Sequence, residues 1–211
     1  MNKKEAAKYY KMAADEGNVY GMNQYALIIA NGDAKQALKY LKTAINRGDL
    51  NSIIKYKQVI EDSKELEFDP DDVDLLCSFG KKYYIGDDVQ INLKEAFYFF
   101  NIAAKNGSID AMNNLAWMFE NGEGTEMDKN AAVFYYKMAA DKGDINAMKN
   151  LAFLYLEFNF NDSLKYYKLA ADYGDIDAIL KYIDLLEDSK SDEKIFYYKM
   201  AADLGDFNSM Y

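Results

Sequence analysis

The sequence contains no histidine in 211 residues, and it has only one cysteine and one proline. Histidine is the commonest general base at neutral pH, so its absence excludes Ser–His and Cys–His nucleophile pairs and every histidine-containing zinc site. The lone Cys77 cannot form an intrachain disulfide, which favours a reducing compartment. These absences predict a protein that is not an enzyme and that carries no metal or other cofactor.

Basic residues are also scarce relative to acidic ones, with 25 Lys and Arg against 35 Asp and Glu and a net charge of −10. Nucleic acids and anionic membranes attract clustered Lys and Arg, so neither is an expected partner. Residues 1–10 have no apolar signal-peptide core, and the apolar run at 25–30 is too short to span a bilayer. We therefore expect a soluble cytoplasmic protein, although a signal removed before residue 1 would leave the same sequence.

A segment of 14 residues recurs through the chain. It reads YYKMAADKGDINAM at Tyr135–Met148 and YYKLAADYGDIDAI at Tyr166–Ile179. The copies align on glycines that are spaced by 31, 59, 36, 31 and 31 residues. Such a period indicates a repeat architecture. The aligned glycines are Gly17, Gly48, Gly107, Gly143, Gly174 and Gly205.

Each copy predicts two antiparallel helices. An aromatic pair eight and seven residues before the glycine, and a small pair four and three before it, share one face of a helix that we call helix B. Both aromatic residues are expected in the core. The glycine ends helix B in the left-handed conformation, and a capping residue starts a second helix, helix A, at once. The predicted caps are Asn18, Asp49, Ser108, Asp144, Asp175 and Asp206.

Apolar residues four, five, eight, nine and twelve positions after the glycine cover one face of helix A. A single helix pair cannot bury such a face alone, so the pairs must stack. No segment has a strand pattern, and an all-α fold is therefore predicted. In the copy after Gly107 these residues are Ala111, Met112, Leu115, Ala116 and Phe119.

The connections from helix A to helix B vary in length. They are long at 86–92 and 122–128 and short in the 31-residue copies, for example at 159–162 and 189–192. The 59-residue interval has room for one further helix A at about 50–62 but not for a full helix B. An irregular junction is predicted at 63–71, with Pro70 at the start of the next helix.

These residues resemble Sel-one-like repeats, which are relatives of tetratricopeptide repeats. The resemblance covers nearly the whole chain except about 63–70, and it implies a right-handed α-solenoid whose concave face is lined by A helices. It also implies an adaptor or scaffold that binds partner proteins rather than a catalyst. The short connections and the missing helix B depart from the family pattern. The matching residues are Phe79–Gly80, Tyr83, Gly86, Lys94–Ala96, Leu115, Phe119, Gly122–Gly124, Asp128, Tyr135–Tyr136 and Ala139–Ala140.

On this basis, residues 1–211 are expected to form a single repeat array. The repeats end near residues 17, 48, 71, 107, 143, 174 and 205, and the one ending near 71 is degenerate.

Positions three, six, ten and thirteen after the glycine form a stripe on helix A opposite its core face. The resemblance implies that this stripe lines the concave groove. Trp117 and Phe153 hold position ten in successive repeats and predict a binding hot spot; the alternative is that both pack between neighbouring A helices. The expected partner-binding residues are Trp117, Phe153, Asn113, Lys149, Lys81, Asn23, Leu27 and Asp184.

Two further sets of residues have weaker functional signals. Asp69, Asp71, Asp72 and Asp74 could bind calcium, but they lack the spaced ligand loop with its glycine and final glutamate, which favours a capping and loop role. Cys77 has no basic neighbour in the sequence that would activate it, so a passive small side chain is expected.

Three functions remain open at this stage. The favoured one is a scaffold that binds a protein or peptide, of unknown identity, on its concave face. The second is a structural segment that self-associates end to end, because the chain begins in a helix B and stops just inside a helix A. The third is an enzyme that uses carboxylates in the groove, which the missing nucleophile, base and metal ligands argue against.

Overall fold

A computed structural model of the protein describes residues 2–63 and 66–205. Within these residues the chain forms twelve α-helices and one short 3-10 helix, Asp188–Lys190, and no strand. This confirms the predicted all-α, solenoid-type repeat fold. The helices are α1 Lys3–Asp15, α2 Val19–Ile29, α3 Ala34–Asn46, α4 Asn51–Asp62, α5 Pro70–Ile85, α6 Leu93–Lys105, α7 Ile109–Asn121, α8 Lys129–Ala140, α9 Ile145–Tyr155, α10 Phe160–Asp172, α11 Ile176–Leu185 and α12 Ser191–Asp203.

The helices divide into two compact units. Unit 1 comprises the described residues up to Asp72 together with Ile85–Ile91, and unit 2 comprises Val73–Tyr84 and the described residues from Asn92 onward. Within each unit, helices that follow one another in the chain pack as antiparallel pairs, for example α1 with α2 and α7 with α8. That the two units form one continuous array stays a prediction.

Glycine makes the tight turn from each helix B to its helix A, as predicted. The backbone φ is +88° at Gly17, +100° at Gly107 and +90° at Gly143. The turn is closed by backbone hydrogen bonds, such as those from the N–H of Gly107 to the carbonyl of Ala104 and from Ser108 to Ala103, both 3.0 Å. Only glycine adopts this left-handed conformation without a steric cost, which explains its recurrence.

Helix A begins at once after four of these turns. The side chains of Asn18, Ser108, Asp144 and Asp175 each accept a hydrogen bond from the backbone N–H three residues later, as capping residues do. Asp49 was also predicted as an N-cap, and that prediction is wrong, because α4 begins only at Asn51, after Leu50. The predicted cap Asp206 lies outside the described residues.

The core contains the residues that the helical period predicted. In α7, Ala111, Met112, Leu115 and Ala116 are all buried. Aromatic residues at position twelve of helix A stack on the aromatic residue that lies eight before the next glycine. The stacked pairs, with their ring-centroid distances, are Tyr83–Phe99 at 5.8 Å, Phe119–Tyr135 at 5.8 Å and Tyr155–Tyr166 at 5.9 Å.

Three of the five aromatic pairs depart from the prediction that both members are buried, and in these Tyr10 and Tyr135 are only half-buried. Tyr9 in α1 and Tyr198 in α12 are exposed. No helix A of the described chain precedes α1, so Tyr9 has no position-twelve residue to stack on. The helix A predicted to follow Gly205 lies outside the described residues.

The junction after α4 contains no helix B among its described residues. Helix α4 ends at Asp62 and α5 begins at Pro70, and none of the described residues between them is helical. The long connections at 86–92 and 122–128 also lie where they were predicted. The short connections lie earlier in the chain than predicted, at 156–159 and 186–190, because α10 begins at Phe160, directly after its cap Asn159, and α12 begins at Ser191.

Candidate functional site

Two aromatic side chains stand out on the A helices of unit 2. Trp117 on α7 is 45% exposed and Phe153 on α9 is 62% exposed. Their neighbours Ala116 and Ala152 are fully buried in the core. Each aromatic side chain therefore lies on the outward face of a helix whose opposite face is fixed by packing, and both are available to a partner.

A depression of about 340 Å³ lies beside Trp117, between α7 and α9. Its lining is rich in side-chain amides and carboxylates, which can donate and accept hydrogen bonds. The lining residues are Asp110, Asn113, Asn114, Trp117, Asp144, Asn146 and Asn150.

Three of these asparagines were not predicted as site residues. Asn114 and Asn150 hold position seven after their glycines, which the predicted stripe passes over, and Asn146 holds position three. The recurrence of asparagine seven residues after both Gly107 and Gly143 was the signal that could have found Asn114 and Asn150.

Position six of helix A has a second role, which is to join successive hairpins. The Nδ2 of Asn113 donates to Oδ1 of Asp144 at 2.6 Å, and the Nζ of Lys149 donates to Oδ2 of Asp175 at 2.8 Å. Both acceptors cap the helix A of the following hairpin. These side chains therefore link one repeat to the next within unit 2, besides lying near the exposed aromatics.

The same link exists in unit 1, where it is more complete. Asn23 donates to Oδ2 of Asp49 at 2.6 Å, and its own Oδ1 accepts from Ser52 Oγ at 2.6 Å. Asn23 is only 5% exposed, so almost none of its side chain can reach a partner. Ser52 lies four residues after Gly48; the equivalent residue after Gly143 is Ala147, which has no hydroxyl.

The missing hydroxyl leaves an orphan acceptor in unit 2. The buried Oδ1 of Asn113 has no hydrogen-bond partner among the described residues. A buried acceptor without a partner costs free energy, typically about 1–3 kcal/mol. The Asn113 link is therefore weaker than the Asn23 link, and its amide lies in the wall of the depression beside Trp117.

The other predicted site residues occupy different environments. Lys81 Nζ lies 2.7 Å from Asp110 Oδ2, and this hydrogen bond raises the pKa of Lys81. Lys149 lies between Asp175 and Asp177, at 2.8 and 3.7 Å. Asp184 is exposed and Leu27 is half-buried. In unit 2, the structure brings Asn113 and Trp117 into one depression, whereas Asn23 and Leu27 belong to unit 1.

Cys77 and the aspartates near α5 serve the fold. Cys77 is buried, and burial raises the pKa of its thiol, which disfavours the reactive thiolate. Asp69 Oδ1 accepts from the backbone N–H of Asp72 at 2.9 Å, which is a cap at the start of α5. Within residues 2–63 and 66–205, no group of His, Cys, Asp or Glu side chains is arranged to hold a metal ion. Nor is any helix of that part long and apolar enough to cross a membrane.

Comparison with known proteins identifies the repeat. The family model described as Sel1 repeat matches residues 2–18, 19–49, 80–108, 109–144, 159–175 and 195–206, which is more than half of the chain. The chain belongs to the Sel1 repeat family. Sel1 repeats are known for protein–protein interaction. The longest of the unmatched segments, 50–79, contains the junction between α4 and α5.

Solved structures support the fold of this Sel1 repeat protein. A protective antigen of uropathogenic Escherichia coli, c5321, superposes with a TM-score of 0.60 at 18% identity, covering 97% of this chain and 50% of its own. A Sel1 repeat protein from Oxalobacter formigenes gives 0.54 at 24% identity, covering 96% and 80%. This chain thus spans half the length of the E. coli protein, and identities this low show the fold alone. A search of curated proteins found no match.

Proposed function

We propose that this Sel1 repeat protein is a non-catalytic interaction scaffold that binds a partner protein or peptide on the exposed stripe of its A helices. The observation that carries this proposal is the exposure of Trp117 and Phe153 at equivalent positions of α7 and α9. Tryptophan and other aromatic residues dominate binding hot spots, because they bury much apolar area while losing little conformational freedom.

Recognition in this proposal combines aromatic anchors with polar side chains. Trp117 and Phe153 supply the apolar contact, and Asn114, Asn146 and Asn150 supply hydrogen bonds to a peptide backbone. Lys149 and Asp184 select charge at the edge. Because the helices beneath these residues are fixed by packing, the partner meets a preformed surface and the scaffold loses little entropy on binding.

The family supports the same class of function. Sel1 repeats mediate protein–protein interaction, and this sequence lacks the histidine, nucleophile–base pair and metal ligands that most enzymes use. The net charge of −10 favours a basic or neutral partner. We also propose an intracellular location, which the single cysteine favours.

A pull-down from native lysate with mass-spectrometric identification tests the proposal. The double variant Trp117→Ala/Phe153→Ala is expected to lose specific partners by about tenfold or more, because each side chain is a hot-spot residue. The matched control is Phe134→Ala/Phe196→Ala, which removes two aromatics that are 57% and 60% exposed on the B helices α8 and α12. The control is expected to retain the partners.

Circular dichroism and thermal unfolding must first show that both variants keep wild-type helicity and stability. If the partners persist with the folded Trp117/Phe153 variant and disappear with the control, the binding surface lies on the B helices and the proposed site is wrong. If neither protein retains any partner and the chain elutes as an oligomer, self-association replaces the scaffold role.

A further inference from the structure

In unit 2, a lysine and a tyrosine fix the start of the next helix B. Lys168, six residues before Gly174, places its Nζ 2.6 Å from Glu193 Oε1. Tyr182, eight residues after Gly174, donates to the same oxygen at 2.7 Å. Glu193 lies in the first turn of α12, which is the helix B of the following repeat. An acidic first turn thus anchors one helix B against the hairpin before it.

In unit 1 the same three groups meet without a helix B. Lys42, six residues before Gly48, lies 3.2 Å from Asp72 Oδ1, and Tyr56, eight residues after Gly48, donates to that oxygen at 3.3 Å. Asp72 belongs to the first turn of α5, which is a helix A. Asp72 therefore supplies the carboxylate that the missing helix B would have carried in its first turn.

Within unit 1, a second contact that a helix B makes elsewhere is not made by α3 with any described residue. Elsewhere, a tyrosine of one helix B donates to an aspartate two residues before the preceding glycine, as Tyr40 does to Asp15 at 3.1 Å and Tyr197 does to Asp172. The equivalent residue of α3 is Asn46, which is exposed and has no hydrogen-bond partner among the described residues.

A groove of about 680 Å³ lies along α3 at this place. It belongs to unit 1 alone, with α3 as one wall and the segment from Leu66 to Asp72 as the other. Its lining residues are Asp33, Lys35, Gln36, Leu38, Lys39, Lys42, Thr43, Asn46, Leu66, Glu67, Asp69 and Asp72.

The α3 wall of the groove is basic. Lys35, Lys39 and Lys42 are spaced at i, i+4 and i+7, so they form one stripe of the helix. Lys42 is paired with Asp72, whereas the exposed Lys35 and Lys39 form no ion pair with any residue in 2–63 or 66–205. In a chain of net charge −10, such a stripe favours carboxylates from outside.

We propose that this groove binds an α-helix of a partner protein whose first turn is acidic. The helix would lie along α3 beside the place of the missing helix B, displaced towards the start of α3 because Asp72 already pairs with Lys42. Its first-turn carboxylates would lie at Lys35 and Lys39 and its body beside Thr43 and Asn46. Acidic residues in the first turn also stabilise a helix through its dipole. The same residues would therefore stabilise the partner helix and bind the lysines. This surface is separate from the Trp117 surface and independent of it.

A fluorescently labelled peptide tests this proposal with the full chain. The probe is the sequence SDEKIFYYKMAAD of α12, the helix B that already fits the equivalent place, stabilised as a helix and labelled at its C-terminus. Fluorescence polarisation should show saturable binding to the wild-type chain. The variant Lys35→Glu/Lys39→Glu is expected to weaken binding by about tenfold or more, because it places like charges opposite the acidic turn.

Matched controls come from α1 and from the probe itself. Lys4 and Lys8 lie thirteen and nine residues before Gly17, as Lys35 and Lys39 do before Gly48, and both are exposed on a helix B that is followed by another, α3. Lys4→Glu/Lys8→Glu makes the same change in charge and should alter binding by less than about twofold. A probe carrying D192N and E193Q, or one broken by I195P, should bind at least about tenfold more weakly.

Several outcomes would overturn the proposal. Equal binding to the two double-lysine variants would remove the groove as the site, and equal binding of the neutral or broken probe would remove the acidic helix as the occupant. Loss of binding only with Lys168→Glu would mean that the peptide merely replaces α12. Sedimentation that shows self-association sensitive to Lys35→Glu/Lys39→Glu would make a second copy the occupant. Trp117→Ala/Phe153→Ala should leave probe binding unchanged.

Discussion

The hairpins α3–α4 and α10–α11 present the same lysine and tyrosine to a carboxylate, but only the second is followed by a helix B. In unit 2 the carboxylate is Glu193 at the start of α12, and in unit 1 it is Asp72 at the start of α5. The repeat therefore keeps a bonding requirement even where a helix has been lost. A buried phenol and a half-buried ammonium still need an acceptor, and the chain supplies one from the next available helix.

The links at position six extend this comparison. Asn23 in unit 1 is satisfied by both Asp49 and Ser52, whereas Asn113 in unit 2 has Asp144 but no donor for its Oδ1. The asparagines at position six thus link successive hairpins in both units, but the number of hydrogen bonds that they make differs. Position ten of helix A varies more freely in residue type, from Leu27 through Trp117 and Phe153 to Asp184, and a partner can select among these side chains.

Among substitutions at equivalent positions, the largest difference in the free energy of unfolding is expected in the connections from helix A to helix B. Gly124 lies two residues after Gly122 and has φ of +70°, and a Cβ there would collide with the backbone carbonyl of Leu93. Gly124→Ala should therefore destabilise the protein by about 2–4 kcal/mol. Denaturant unfolding would measure this loss as a lower midpoint at constant slope.

The control for that prediction lies in the other long connection. Asp88 lies two residues after Gly86 and has φ of +59°, so this position already accepts a Cβ. Asp88→Gly should change the free energy of unfolding by no more than about 1 kcal/mol. A loss at Asp88 as large as that at Gly124 would show that the backbone crowding at Leu93 is not the cause.

The next largest effect on the free energy of unfolding is expected at Ser52 and Ala147, the residues beside the two position-six asparagines. Ser52→Ala should destabilise the protein by about 1–2 kcal/mol, because it leaves the Oδ1 of the buried Asn23 without a donor. Ala147→Ser should stabilise it by up to about 1 kcal/mol, because the new hydroxyl can donate to Asn113 Oδ1. Urea unfolding of both variants would compare them, and changes of the opposite signs would contradict the assigned links.

Much of this architecture could be read from the sequence. The glycine spacing predicted the hairpins, and the interval between Gly48 and Gly107 predicted the missing helix B, because both depend on local periodicity. The cap at Asp49 was mispredicted because the side-chain amide of Asn23, 26 residues away, donates to its carboxylate. That bond depends on the packing of two hairpins, which no local pattern contains.

The candidate surface was predictable only in part. Trp117 and Phe153 followed from the helical stripe, and the resemblance to a repeat family gave that stripe a role. The burial of Asn23 could not be predicted, because it depends on the register between α2 and α4. The groove along α3 could not be predicted from the sequence either. Asp72 takes the role of Glu193 although Asp72 belongs to a helix A and Glu193 to a helix B, so the repeat alignment does not pair them.

The smallest effect is expected from titration of the phenol in the second hairpin. Burial, reinforced by the hydrogen bond to Glu193, raises the pKa of Tyr182 from 10.0 to about 12. Its contribution to stability is fully present below pH 10 and is lost as the pH rises from 10 towards 12, because the unfolded chain ionises first.

Tyr182→Phe should therefore make the loss of stability between pH 10 and 11 smaller by about 1 kcal/mol. Burial also raises the pKa of Tyr56, so Tyr56→Phe should change the alkaline profile in the same direction. Urea unfolding at several alkaline pH values would measure both. A profile identical to that of the wild type would show that Tyr182 ionises as readily in the folded as in the unfolded chain.

Photo-crosslinking from a single position tests the proposed scaffold function most directly. A benzoylphenylalanine would replace Phe153 on α9 in one protein and Phe134 on α8 in another, both in an otherwise unchanged chain. We expect a specific partner to be crosslinked from position 153 and not from position 134, and Trp117→Ala to abolish this crosslink. The same partner crosslinked from position 134 and absent from 153 would contradict the proposed binding surface.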